Sequence, residues 1–154
     1  MLSDVPDSLQ AVKAAALRYL SHRECSSAEL RQKLCRKGYS EAVVEQVVAD
    51  LASQGLQSDG RFAEVFARSR AEKGYGAYRI RQELRQHGVD VDKSLENDRD
   101  WDALIHKTYV KRYGETIPDS LLERAARERF LRRRGFESDQ IRRLFKRLRY
   151  PDSE

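Results

Sequence analysis

Cysteine is scarce in this 154-residue chain: Cys25 and Cys35 are the only two, and they form no CxxC pair. No histidine stands at zinc-ligand spacing from them, so no metal site is read there. Both thiols are expected to be reduced, buried and inert. No apolar run approaches the roughly 18 residues a membrane span requires, which excludes a membrane-embedded role. The segment Met1–Asp7 carries neither a basic nor an apolar stretch, and no secretory signal is read in it. These absences predict a cytoplasmic protein.

Catalytic groupings are also missing. His22, His87 and His106 are scattered, and no nucleophile elbow, HExxH or Cys–His pairing occurs. Gly74-Tyr75-Gly76 lacks the spacing of a phosphate-cradling loop and reads as a tight corner between helices. Tyr75 has two readings, stacking on a nucleobase or packing within its own unit. The acids from Asp90 to Asp100 lack the order and the glycine of a calcium loop and are expected to form a flexible acidic segment. No catalytic residue, metal or cofactor is expected, and the chain is not read as an enzyme.

What the chain has is repetition. Leu34-Cys35-Arg36-Lys37-Gly38-Tyr39, Leu84-Arg85-Gln86-His87-Gly88-Val89 and Leu131-Arg132-Arg133-Arg134-Gly135-Phe136 share one pattern, with glycines 50 and 47 positions apart (88−38 and 135−88). Leucine, three mostly basic or polar residues, glycine and an apolar residue describe a helix C-terminus. Glycine takes the left-handed position after the helix, and the flanking apolar residues meet across it. Basic side chains there face the negative end of the helix dipole. Three such stops predict three copies of a helical unit.

Each unit reads as three helices. Val12, Ala15, Ala16, Tyr19 and Leu20 form an amphipathic stripe. Ser26 with Glu29 forms a capping box before Leu30 and Leu34, and Ser40 caps a helix striped by Val43, Val44, Val47, Val48 and Leu51. Gly55 repeats the stop. Asp59 is expected to cap the next helix, marked by Phe62, Val65 and Phe66, and Ile80 with Leu84 marks the one after it. Val91 and Leu95 are the only apolar residues in the acidic stretch, so the third helix of this unit is expected to be short. Trp101, Leu104, Ile105 and Tyr109 open the third unit, and Ser120 with Glu123 caps its second helix. Ile141, Leu144, Phe145 and Leu148 stripe the last. The expected organisation is all-α: a tail over 1–10, three-helix repeats over 11–57, 58–99 and 100–150, and a tail over 151–154. These would stack into a short curved array.

Charge is unevenly placed. Between Arg124 and Arg149 there are eleven Arg or Lys and three acids, a net of +8, against +5 for the whole chain. Such a basic end suggests a polyanion or an acidic protein surface as partner. The candidate partner-binding residues are Arg70, Lys73, Tyr75, Arg79, Arg81 and Arg85 in the middle unit. In the third they are Arg127, Arg132, Arg133, Arg142, Arg143, Lys146 and Arg147. Arginine predominates, and its planar fork suits bidentate capture of phosphate or carboxylate. For any one of them a solvated helix face is the competing reading.

Asp59-Gly60-Arg61-Phe62-Ala63, Arg68-Ser69-Arg70, Lys73-Gly74-Tyr75-Gly76 and Arg79-Ile80-Arg81-Gln82-Glu83-Leu84 together resemble the RecX family, regulators of the RecA recombinase. Ser27-Ala28-Glu29-Leu30-Arg31-Gln32-Lys33-Leu34 and Arg134-Gly135-Phe136 fit the same family in its first and third repeats. The resemblance implies a monomeric regulator in DNA repair, homologous recombination and the SOS response. It would bind the RecA filament on DNA, contact the DNA directly, and limit filament extension, ATP hydrolysis and strand exchange. The alternative is a helical-repeat DNA-binding protein acting through phosphate contacts without RecA specificity.

Overall fold

A computed structural model describes residues 8–151. The expectations for the N-terminal segment 1–7 and for 152–154 lie outside the described residues. The rest forms eight α-helices and a 3₁₀ turn, with no strand among the described residues: α1 (Leu9–His22), α2 (Ser27–Arg36), α3 (Glu41–Ser53), α4 (Asp59–Glu72), α5 (Ala77–Gln86), the 3₁₀ turn (Lys93–Asn97), α6 (Trp101–Tyr113), α7 (Leu121–Arg133) and α8 (Ser138–Arg149). They gather into two compact units. One runs to Val65 and takes in Leu84–Val89, and the other comprises Phe66–Glu83 and the chain from Asp90 onward.

In the first unit α1, α2 and α3 bury one side each. Val12, Ala15, Ala16, Leu30, Leu34, Val44, Val47, Val48 and Leu51 form its core, with Tyr19, Leu20, Tyr39 and Val43 packed on the outside. The valine-rich run of α3 is helical despite its β-branched side chains, because its apolar positions fall on one helical face. Ser26 Oγ accepts the Glu29 N–H at 3.1 Å, as expected of a cap. The other half of the expected capping box is not made. The Glu29 carboxylate turns to Arg23 and takes two hydrogen bonds of 2.9 Å from its guanidinium. A charge-assisted pair outcompetes one more backbone donor. At α4 the expected cap also shifts by one residue. Ser58 Oγ accepts the Arg61 N–H at 3.1 Å, while the Asp59 carboxylate accepts from Ser27 N–H at 2.8 Å and from the Gln57 amide at 3.0 Å. Asp59 therefore serves the N-terminus of α2 rather than that of its own helix.

Gly38, Gly88 and Gly135 all have positive φ, of 97°, 78° and 100°. At Gly88 the stop is complete: Gly88 N–H bonds to Arg85 O and Val89 N–H to Leu84 O, at 3.0 and 2.9 Å. The turn is seated on the start of α2. Ser26 Oγ donates to His87 O at 2.7 Å, and a Cβ on Gly88 would lie 2.5 Å from the Ala28 Cβ.

Along α4 the buried positions are Phe62, Ala63, Ala67 and Ala71, whereas Val65, expected on the apolar stripe, is 51% exposed. Alanine at three turns narrows the buried edge to positions with little side chain, and Val65 lies off that edge.

In the second unit α6 packs on α8, and α7 on α8. Trp101, Ile105, Tyr109, Phe130, Leu131, Phe136, Ile141, Leu144 and Phe145 are buried. Tyr109 meets Phe145 edge to face, and Tyr113 meets Phe130 likewise, with ring centroids 5.8 and 5.7 Å apart. The acidic stretch differs from the flexible segment expected of it. It forms the 3₁₀ turn, Leu95 is buried, and the Trp101 indole N–H donates to Leu95 O at 3.0 Å. The acids have separate tasks: Asp92 accepts the Ser94 N–H, Asp100 caps α6, and Glu96 pairs with Arg81.

Candidate functional site

Gly74 and Tyr75 follow the end of α4 within the second unit. The Tyr75 ring is surrounded by arginine: the guanidinium carbons of Arg70, Arg79 and Arg134 lie 4.1, 4.3 and 4.8 Å from its centroid. Each cation is drawn to the electron-rich ring face. Two of the three guanidiniums, those of Arg70 and Arg79, share one anion, Glu83. Its Oε1 accepts from Arg70 Nη2 at 2.8 Å and from Arg79 Nε at 2.9 Å. Burial acts to raise the Glu83 carboxyl, but the two arginines outweigh it and hold the group below its ordinary value.

The same arginines tie the corner to the end of α7. Arg79 Nη1 donates to Arg133 O at 3.0 Å, Arg134 Nη1 to Lys73 O at 3.1 Å, and Gly76 N–H to Arg134 O at 2.7 Å. Of the two readings of Tyr75, this surrounding favours packing: the ring is the platform on which three cations are arranged.

The other candidates divide by what they already touch. Arg81 is mostly buried against Glu96 at 2.6 Å. Arg143 makes a forked pair with the Asp102 carboxylate, Nε at 3.2 Å and Nη2 at 3.2 Å, and Arg147 Nη2 donates to Asp102 O at 2.9 Å. Arg142 pairs with Asp139 on an open surface, where such a pair contributes little. Arg85 lies in the last turn of α5. Lys73, Arg132, Arg133 and Lys146 are exposed and have no carboxylate partner among the described residues.

Arg127 requires a correction. It is 8% exposed, so it cannot present its charge to a partner. Its guanidinium donates to Tyr109 Oη at 2.6 Å and to Thr116 O at 3.1 Å, and it pairs with Glu123. The buried Tyr109 hydroxyl itself donates to Thr116 O. Arg127 thus closes the loop between α6 and α7 from inside. Cys35 is a second correction, since it is exposed while Cys25 is buried.

One feature of the second unit was missed in the sequence. A hollow of about 390 Å³ is lined by Lys73 at the end of α4, Lys107, Lys111 and Arg112 on α6, and Arg134 after α7. Only Lys73 of these was a named candidate. The i, i+4 pair Lys107–Lys111 was the visible signal. A group of side chains able to hold a metal ion is absent among the described residues.

The comparisons with known proteins follow the repeats. Residues 13–51 match the first three-helix domain of RecX, residues 58–92 the second, and residues 100–145 the third. The chain belongs to the RecX family. The regulatory protein RecX of Halorhodospira halophila is 44% identical over 145 residues, covering 92% of this chain and 90% of that protein. The regulatory protein RecX of Ectopseudomonas mendocina is 37% identical over 144 residues, 91% of this chain and 96% of that one. The crystal structure of RecX from Lactobacillus salivarius agrees in fold, with a TM-score of 0.73 at 22% identity over 92% of this chain and 96% of that chain. The all-α repeat fold and the regulatory character of the RecX family therefore extend to this chain. No helix among the described residues is long and apolar enough to cross a membrane.

Proposed function

We propose that the chain binds the RecA–DNA filament and opposes its extension, ATP hydrolysis and strand exchange. The observation that carries this reading is the match to all three RecX domains in order along nearly the whole chain. In this reading the repeats occupy 11–57, 58–99 and 100–150, and the protein acts by binding, as a cytoplasmic monomer without catalysis. A body that touches more than one RecA protomer would hold the filament against the conformational cycle that ATP turnover requires. Its exposed cations, Lys73, Arg132, Arg133 and Lys146 among them, would face acidic protein surface or DNA.

A second reading keeps the DNA and drops RecA: a helical-repeat protein held to DNA through phosphates. The excess of unpaired cations in the second unit favours it. One measurement separates the two. Substoichiometric protein should slow the DNA-dependent ATP hydrolysis of RecA. Unchanged hydrolysis at equimolar, folded protein would remove the first reading and leave the second.

A further inference from the structure

We propose that the hollow between the end of α4, α6 and α7 is a binding site for consecutive phosphates of a nucleic-acid strand. Five cations line it, Lys73, Lys107, Lys111, Arg112 and Arg134, against one carboxylate, Glu72, for a net of +4 (5−1). Five other cations of this unit are met by acids, Arg70 and Arg79 by Glu83, Arg81 by Glu96, Arg143 and Arg147 by Asp102, while Arg132, Arg133 and Lys146 are exposed singly on helix surfaces. Around the hollow none of the five has a carboxylate partner among the described residues. Lys107 and Lys111 stand one turn apart on α6, where like charges repel. A convergence of charge that the fold leaves unneutralised calls for an anion from outside.

The arginines are held ready for it. The Arg112 guanidinium carbon lies 4.6 Å from the Phe130 ring centroid, and that of Arg134 lies 4.8 Å from Tyr75 and 5.3 Å from Phe130. Arg134 is further fixed by its bond to Lys73 O. These aromatic contacts restrain both side chains, so less of their freedom remains to be lost on binding. The volume exceeds what a lone phosphate fills and suits a nucleotide-sized segment. A charge of +4 likewise exceeds that of one phosphate. The shared chemistry is linked phosphates, whether in a strand or in a free polyphosphate. We assign the strand, because the chain's other unpaired cations could follow a strand beyond the hollow.

This inference rests on the DNA contact in the function proposed above, not on RecA, and the experiment keeps the two apart. Binding of a ~20-nucleotide oligothymidylate is followed by fluorescence anisotropy across a salt series, for the parent, K107E/K111E, the milder K107Q/K111Q, and K146E/R149E on α8. Circular dichroism checks the fold. Loss of two contacts should weaken binding at least about tenfold and lower the salt slope by about 1.4, at roughly 0.7 per single-strand phosphate. The neutral pair should do the same to a lesser degree, and the α8 pair should change less than K107E/K111E. Parent-like binding by both hollow variants overturns the site. Tripolyphosphate that binds the parent when the oligonucleotide does not overturns the strand assignment. A parent that slows RecA but binds no oligonucleotide sinks the hollow and spares the RecA reading. A parent that binds oligonucleotide through Lys107 and Lys111 without slowing RecA does the reverse.

Discussion

Gly76 and Gly135 touch backbone to backbone. The Gly76 N–H donates to Arg134 O at 2.7 Å, and a Cβ on Gly76 would lie 2.5 Å from both the carbonyl carbon and the oxygen of Gly135. The corner after α4 and the stop after α7 are therefore closed on each other with no space for a side chain.

Gly76→Ala should destabilise the protein by about 1–3 kcal/mol through overpacking. Gly76 has no positive φ, so no left-handed penalty enters. Gly55→Ala is the counterpart: φ is +75° and nothing lies within 4 Å of an added Cβ. It should cost only the left-handed penalty, about 1 kcal/mol. Denaturant melts of the two variants compare steric closure with backbone conformation. A neutral Gly76→Ala would show that the corners stand apart.

Acid should loosen the arginine cluster. The Glu83 carboxyl is held below its ordinary value, so the folded state binds the proton less readily than the unfolded chain. Its stabilisation is then complete above the unfolded value of about 4.3 and is lost as pH falls from there through the lower folded value. Glu83→Gln should reduce the stability of the protein near neutrality and flatten its decline below about pH 4.3. A variant whose acid profile overlays that of the parent would remove Glu83 from this role.

The two thiols should separate under a disulfide reagent. Burial pushes the Cys25 thiol up, and nearby Glu29 adds to the effect. Cys35 is exposed at the end of α2. One thiol should therefore react at once in the folded protein and the second only with unfolding, since the thiolate is the reactive species. Cys35→Ser should abolish the fast phase. Two equal fast phases would contradict the burial of Cys25.

Much of this architecture was legible because glycine stops and serine caps are local chemistry. Leu84, Gly88 and Val89 lie within six positions, and their hydrogen bonds follow from backbone conformation alone. Where two neighbours could both cap, as Ser58 and Asp59 can, the sequence did not distinguish them, because the choice depends on the distant Ser27. Val65 misled because the helix buries alanine beside it rather than the larger side chain. Arg127 misled for a related reason: the Tyr109 hydroxyl that holds it inside lies 18 positions away. The basic hollow joins residues 34 and 27 positions apart (107−73 and 134−107), so no window along the chain displays it.

The bond from the Trp101 indole to Leu95 has an optical consequence. Trp101 is the only tryptophan of the chain and is 4% exposed. With its N–H on the Leu95 carbonyl and the Arg99 guanidinium 5.5 Å from its ring, its emission has a single source in a single surrounding. Opening of the 3₁₀ turn would bring water to that indole and shift its emission to the red before the helices melt. The protein thus carries its own fluorescent gauge at the acidic turn that joins α5 to α6.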